Sequence, residues 1–165
     1  MQPTLEARIG AALRRKGLNL AIAESCTGGL IADRLTDVPG SSDYFIGGIV
    51  AYAYAAKVVL LGVSWDTLKA HGAVSRETVL EMAAGARRVL ATDIAISVSG
   101  IAGPGGGLPH KPVGTVWVGL SASDGEWARL LYFHGNREQN KASAADSALQ
   151  LLMDYLDGCR DLEQR

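Results

Sequence analysis

The sequence predicts an α/β fold: a three-layer α/β/α sandwich on a mixed, mostly parallel sheet with a late antiparallel hairpin. In the first 100 residues, short apolar segments typical of strands alternate with helical patterns, which indicates parallel strands joined by crossover helices. Asp124-Gly125 then lies between two further apolar segments and predicts the hairpin. For 165 residues we expect one domain over 1–165, with its core at about 5–157.

Hydrophobic periodicity and end signals predict the individual elements. A first helix begins after the capping residue Thr4 and ends at Gly17. The predicted strands cover 18–24, 44–52, 93–100, 114–122 and 127–133. The remaining predicted helices cover 28–37, 55–62, 65–72, 76–90 and about 137–155, the last with a capping box of Asn136 and Gln139.

Composition and charge exclude several classes of protein. Apolar residues make up 48% and the net charge is −1, which indicates a globular chain without a nucleic-acid surface. No apolar segment is long enough to span a membrane, and no secretory signal opens the chain, so we expect a cytoplasmic protein. Cys26 and Cys159 form neither a disulfide framework nor a metal-binding pattern. We therefore expect no metal and no cofactor.

The segment AIAESCTGG at 21–29 carries the first site candidate, Ser25. It follows a strand and precedes a helix, so its hydroxyl fits a nucleophile, a helix cap or a phosphate contact. Gly28 and Gly29 are costly in a first helical turn, and they favour close approach of a ligand to backbone amides that could stabilise an oxyanion. Cys26 is a rival nucleophile, but no histidine base is expected beside it, which favours packing.

A serine nucleophile needs a base, and Lys57 is the best candidate in the chain. It lies early in a predicted helix, where the helix dipole and partial burial would lower its pKa. Ser–Lys pairs are a known way of activating a nucleophile. Tyr52, at a predicted strand end, could relay or orient the proton. The alternatives are that Lys57 is an ordinary exposed lysine and that Tyr52 is an ordinary aromatic residue at a strand end.

The segment SGIAGPGGGLPHKPVGT at 99–115 is the second unusual stretch. It lacks the pattern of a Walker A or dinucleotide loop, but its glycines after a buried strand indicate amides open to a ligand, with a flexible loop as the alternative. The guanidinium of Arg137 could grip a phosphate or carboxylate. Substrate contacts are predicted for Thr27, Gly28, Gly29, Ser99, Gly100, Gly103, Gly105, Gly106 and Arg137.

Seven segments occur in the order AESCTGG, TDVPGSS, VAYAYAAKVVLLGV, HGAVS, VSGIAGPGGG, KPVGTVWVGL and HGNRE. Together they resemble the CinA C-terminal domain family, which includes stand-alone nicotinamide-nucleotide amidohydrolases. The resemblance implies hydrolysis of the carboxamide of nicotinamide mononucleotide (NMN) to nicotinate mononucleotide and ammonia, in pyridine-nucleotide salvage.

The same resemblance implies roles for individual residues. The family's nucleophile falls on Ser25, its lysine on Lys57, its tyrosine on Tyr52 and its arginine on Arg137, while Ser99 replaces the usual threonine. Tyr54 stands where many relatives have asparagine, which bears on the choice of substrate. The family's additional N-terminal domain, with its pyrophosphatase activity, has no room in 165 residues.

Two further functions stay open on sequence grounds. One is a non-catalytic nucleotide-binding or regulatory module that keeps the pocket, and the other is an amidase for a different small amide. The expected partners are a small nucleotide substrate and a second copy of the chain, with neither nucleic acid nor membrane.

Overall fold

A computed structural model describes residues 2–159 and 161–163 and confirms the α/β fold. Residues 1, 160, 164 and 165 of the predicted domain lie outside the described residues. The described chain forms one five-stranded sheet in the order β2-β1-β3-β4-β5. The strands are β1 (Leu20–Glu24), β2 (Phe45–Val50), β3 (Ile94–Gly100), β4 (Thr115–Ala122) and β5 (Gly125–Tyr132).

The sheet is mixed, as predicted. Strands β2 and β3 both pair in parallel with β1, while β4 pairs antiparallel with β3, and β5 antiparallel with β4. The carboxyl ends of the three parallel strands therefore meet at one edge of the sheet, where ligands bind in open α/β sheets. The segments that follow β1, β2 and β3 hold the predicted site residues.

Six helices cover the two faces of the sheet. On one face lie α1 (Leu5–Lys16), α2 (Leu30–Thr36) and α6 (Arg137–Leu156), and on the other lie α3 (Tyr54–Leu61), α4 (Trp65–His71) and α5 (Arg76–Val89). The caps form as predicted: the Thr4 side chain accepts from the Ala7 amide, and Asn136 and Gln139 form a capping box. No helix of the described chain is long and apolar enough to cross a membrane.

Strand β1 divides its side chains between two cores. Leu20 and Ile22 belong to the cluster beneath α1, α2 and α6, whereas Ala21 and Ala23 belong to the cluster beneath α3, α4 and α5. Because side chains alternate along a strand, Ser25 continues the alanine side, toward α3. The small alanine side chains leave room for α5, which packs against that side of β1.

Most element boundaries differ from the sequence expectation by one or two residues; β1, for example, begins at Leu20 rather than at 18, and β5 covers Gly125–Tyr132 rather than 127–133. Helix α2 begins at Leu30 rather than at residue 28, because Gly28 and Gly29 adopt φ values of +62° and +108°, which form a left-handed turn before the helix. Strand β2 covers 45–50 instead of 44–52. The hairpin turn consists of Ser123 and Asp124, since Gly125 already pairs with Ala122 in the ladder.

Candidate active site

Ser25 lies directly after β1, and its backbone makes one more hydrogen bond to the neighbouring strand β3. Its amide donates to the Val98 carbonyl at 3.0 Å, so Ser25 and Ser99 are neighbours on adjacent parallel strands and share the face toward α3–α5. Both side chains are buried, with Ser25 7% exposed and Ser99 1% exposed. The structure thus brings the two predicted hydroxyls to the same place.

Lys57 reaches Ser25 from the middle of α3. Its Nζ lies 2.9 Å from Ser25 Oγ, 2.9 Å from the Ala51 carbonyl oxygen and 3.0 Å from the Tyr52 carbonyl oxygen. A neutral amine has two N–H bonds and one lone pair. If the two carbonyls accept the two N–H bonds, the lone pair faces the Ser25 hydroxyl, which is the arrangement required of a base.

Burial changes the acidity of this lysine. Lys57 is only 1% exposed, and loss of water around the ammonium lowers its pKa from 10.5 to about 8. At pH 7 about one tenth of such a lysine is neutral, against less than about one thousandth of an ordinary lysine. The pKa of Lys57 is therefore lowered, as predicted, and the main cause is the loss of water around its ammonium group.

Cys26 lies beside Ser25 but faces the other core. It is buried in the cluster beneath α1, α2 and α6, and this burial raises the pKa of its thiol to about 11. A thiol with that pKa is protonated at neutral pH and is a poor nucleophile. This placement agrees with the packing interpretation of Cys26.

Glu24 is a buried carboxylate that the sequence interpretation missed. It accepts from the Thr27 hydroxyl at 2.6 Å and from the amides of Ile31 and Ala32 at 2.9 and 3.2 Å. Glu24, rather than Ser25, therefore caps α2, and it consumes the Thr27 hydroxyl that was expected to contact substrate. Glu24 precedes the helix by more than the usual spacing of a capping residue, so the sequence pattern around it does not predict this role.

Backbone amides beside Ser25 offer donors for a developing oxyanion. The Gly28 amide donates to the Ser25 carbonyl at 3.1 Å, so it is already used. Within the described chain, the amides of Cys26 and Thr27 have no hydrogen-bond acceptor. The residue after a nucleophile commonly supplies such a donor.

Arg137, the first residue of α6, links two of the predicted site segments. Its guanidinium donates to the Gly103 carbonyl at 2.7 Å and to the Tyr52 hydroxyl at 3.0 Å. Buried Asn140, one turn later, donates to the Ala102 carbonyl at 3.0 Å. The start of α6 therefore holds the glycine loop in place. Tyr52 contacts two site residues: its carbonyl oxygen accepts from Lys57, and its hydroxyl accepts from Arg137.

The glycines of the loop have different surroundings. Gly100 lies in β3, where an added Cβ would come within 2.6 Å of Val116, so small size is needed for packing. Gly103 and Gly106 have positive φ, while Gly105 has open space around it. A cavity of about 680 Å³ beside Arg137 is lined by Ala102, Pro104, Val113, Gly135, Asn136, Arg137 and Glu138.

Tyr54 and Lys111 are tied to the connection between α4 and α5. The Tyr54 hydroxyl accepts from the Ala73 amide at 3.2 Å, and Lys111 Nζ donates to the His71 carbonyl at 2.6 Å. Both polar groups thus have partners in the protein itself. Among the described residues, no group of three or more His, Cys, Asp or Glu side chains could hold a metal ion.

Comparison with known proteins identifies the family to which this chain belongs. Residues 2–156 match the CinA C-terminal domain. The chain belongs to the CinA C-terminal domain family. A CinA-like protein of Chloroherpeton thalassium is 50% identical over 93% of this chain, and one of Desulfosudis oleivorans is 53% identical over 90%. The chain spans 37% and 36% of the length of these two relatives.

Solved structures of CinA-family proteins share the whole fold. The competence/damage inducible protein CihA of Agrobacterium tumefaciens has a TM-score of 0.89 and 40% identity, over 95% of this chain and 98% of that one. A CinA superfamily protein of Klebsiella pneumoniae has a TM-score of 0.90 and 36% identity, over 93% and 96%. These two chains therefore share the fold described here.

Proposed function

We propose that this chain hydrolyses the carboxamide of NMN, with Ser25 as nucleophile and Lys57 as its base. One observation carries the proposal: Lys57 Nζ lies 2.9 Å from Ser25 Oγ and also within 3.0 Å of two backbone carbonyls. This arrangement directs the amine lone pair toward the hydroxyl, and burial keeps the pKa of Lys57 near 8. The family resemblance supplies the identity of the substrate.

The first half of the reaction forms an ester. Ser25 Oγ attacks the carboxamide carbon while its proton moves to Lys57 Nζ. The oxygen of the tetrahedral intermediate becomes negatively charged, and the amides of Cys26 and Thr27, which have no acceptor within the described chain, are the proposed donors to it. Lys57 then gives the proton to the amide nitrogen, the C–N bond breaks, and ammonia leaves.

The second half of the reaction hydrolyses that ester. A water molecule attacks the acyl carbon while Lys57 accepts its proton, and the C–O bond to Ser25 then breaks. The proton returns to Ser25 Oγ, which restores the enzyme. One NMN and one water thus give one nicotinate mononucleotide and one ammonia, without an external oxidant or reductant.

The ribose phosphate is proposed to lie against the glycine loop and Arg137. The guanidinium has five N–H donors, and its contacts with Gly103 and Tyr52 use two of them. The others can serve a phosphate, which arginine binds well because of its planar, forked shape. The open space around Gly105 allows a ligand to approach the loop backbone.

The direct test is ammonia release from purified protein given NMN, nicotinamide or nicotinamide riboside, with and without EDTA. We expect release from NMN, little from the two compounds without phosphate, and no effect of the chelator. Calorimetry with NMN accompanies the assay. Binding of NMN without ammonia release would refute the deamidase proposal and favour a nucleotide-binding module.

A further inference from the structure

Glu24, the residue before the proposed nucleophile, is a fully buried carboxylate without a cation beside it. Its exposed fraction is 0%, and no lysine, arginine or histidine of the described chain forms an ion pair with it. A buried charge is costly unless hydrogen bonds compensate for it. Here the compensation comes from the Thr27 hydroxyl and from the amides of Ile31 and Ala32. All three donors lie in the segment that leads from the nucleophile into α2.

The turn that leads from Ser25 to α2 contains two glycines. Gly28 and Gly29 both have positive φ, and glycine loses more conformational freedom on folding than any other residue. The Glu24 carboxylate bridges this turn, because it holds Thr27 in the middle and the first turn of α2 at the far end. Side-chain hydrogen bonds therefore supply an order that the glycine backbone lacks.

The same turn carries the backbone amides proposed as oxyanion donors. The amides of Cys26 and Thr27 have no acceptor within the described chain, and Thr27 is also the residue whose hydroxyl bonds to Glu24. A donor stabilises a transition state only when it is held at the position where the charge develops. The hydroxyl bond fixes the residue that supplies one of these donors and directly follows the other.

We propose that the Thr27 hydroxyl and the Glu24 carboxylate are positioning groups, which hold the turn after Ser25 so that its free amides can stabilise the oxyanion. The inference rests on the proposed function, because it concerns the same nucleophile and the same amides. It gives Thr27 a role other than the predicted substrate contact, since its hydroxyl is bonded to Glu24 at 2.6 Å. Removal of that hydroxyl should therefore lower kcat and leave KM for NMN nearly unchanged.

Two replacements of Thr27 separate positioning from packing. Thr27 is 1% exposed, so if it only filled space, valine, which has nearly the same shape, would be the better replacement. Serine, which lacks the methyl group, would be the worse one. If Thr27 acts through its hydroxyl, the order is reversed, because serine keeps the donor to Glu24 and valine loses it.

Thr92→Val is the matched control. Thr92 is another buried threonine, and its hydroxyl donates to the Ile94 carbonyl at 2.9 Å. It precedes β3, whereas Ser25 lies beside the carboxyl end of β3, so the two positions are at opposite edges of the sheet. This variant measures the general effect of replacing a buried, hydrogen-bonded threonine with valine.

The test measures kcat and KM for ammonia release from NMN in wild type, Thr27→Val, Thr27→Ser and Thr92→Val. A second readout is independent of NMN: the rate at which a fluorophosphonate labels Ser25, followed by the mass of the intact protein. In that reaction Ser25 Oγ bonds to phosphorus, its proton moves to Lys57, fluoride leaves, and negative charge develops on the phosphoryl oxygen. Circular dichroism confirms that each variant is folded, and Thr27→Ala replaces Thr27→Val if the valine variant is not.

We expect Thr27→Val to lower both kcat and the labelling rate by about tenfold or more, with KM within about twofold of wild type. Thr27→Ser should lie closer to wild type than Thr27→Val, and Thr92→Val should match wild type in both readouts. An unchanged kcat in Thr27→Val overturns the proposal. So does valine retaining more activity than serine, or an equal loss in Thr92→Val.

Failure of the proposed function gives a different result. Wild type that releases no ammonia refutes the NMN reaction, and the labelling rates then decide the positioning role. Slower labelling of Thr27→Val than of wild type and Thr92→Val supports that role. Equal labelling rates, or a wild type that is not labelled at all, overturn it.

Discussion

Replacing Lys57 with methionine tests whether burial governs this lysine, without any substrate. Methionine keeps an unbranched side chain, one atom shorter than that of lysine, but removes the charge. The folded pKa of Lys57 is about 8, whereas an unfolded lysine titrates near 10.5. Between these two values the unfolded chain binds the proton and the folded chain does not. The free energy of unfolding of wild type relative to Lys57→Met should therefore rise with pH.

The size of this rise follows from the pKa shift. A pKa of about 8 in the folded chain against 10.5 in the unfolded chain corresponds to about 3 kcal/mol, because a tenfold change in a proton-binding constant is worth about 1.4 kcal/mol. The change should begin near pH 8, be largely complete near pH 10.5, and be absent below pH 7. Below pH 8 both states of wild type bind the proton, so the cost of the buried charge is fully present there.

Urea unfolding of wild type and Lys57→Met at several pH values measures this difference directly. Lys69→Met is the control, since Lys69 is an exposed lysine on the neighbouring helix α4, and its difference from wild type should stay flat. A flat difference for Lys57→Met across the same range would refute the reasoning. A difference that falls with pH would mean that the protein raises the pKa of Lys57.

Two other substitutions test the surroundings of the pair. Glu24→Gln turns one acceptor oxygen into a donor that faces the amides of α2, so we expect a loss of about 1–3 kcal/mol in urea unfolding together with a lower kcat. Unchanged stability would contradict the capping role. Arg137→Lys keeps the charge but loses the forked contacts with Gly103 and Tyr52, and we expect KM for NMN to rise about tenfold. An unchanged KM would place the phosphate elsewhere.

Local patterns predict the elements of this fold well. The caps of α1 and α6 depend on residues three positions apart, and the apolar strands alternate with amphipathic helices, so both are visible in the sequence. The meeting of Ser25 and Lys57, 32 residues apart, was expected because the ends of parallel strands converge at one edge. That rule needs only the order of the elements.

Other features depend on contacts that local patterns do not encode. Glu24 caps α2 across a glycine turn, and the turn displaces the helix start by two residues, so the usual spacing of a capping residue does not apply. The bond between Arg137 and the Gly103 carbonyl depends on where α6 begins relative to a loop 34 residues earlier. Such distances follow from packing of the whole sheet.

The central claim is that Ser25, and not its neighbour Cys26, attacks the amide. Ammonia release from NMN by wild type, Ser25→Ala and Cys26→Ala tests it most directly. The account predicts similar rates for wild type and Cys26→Ala, because the Cys26 thiol is buried with a pKa of about 11, and no release by Ser25→Ala. Turnover by Ser25→Ala, together with its loss in a folded Cys26→Ala variant, would contradict the account.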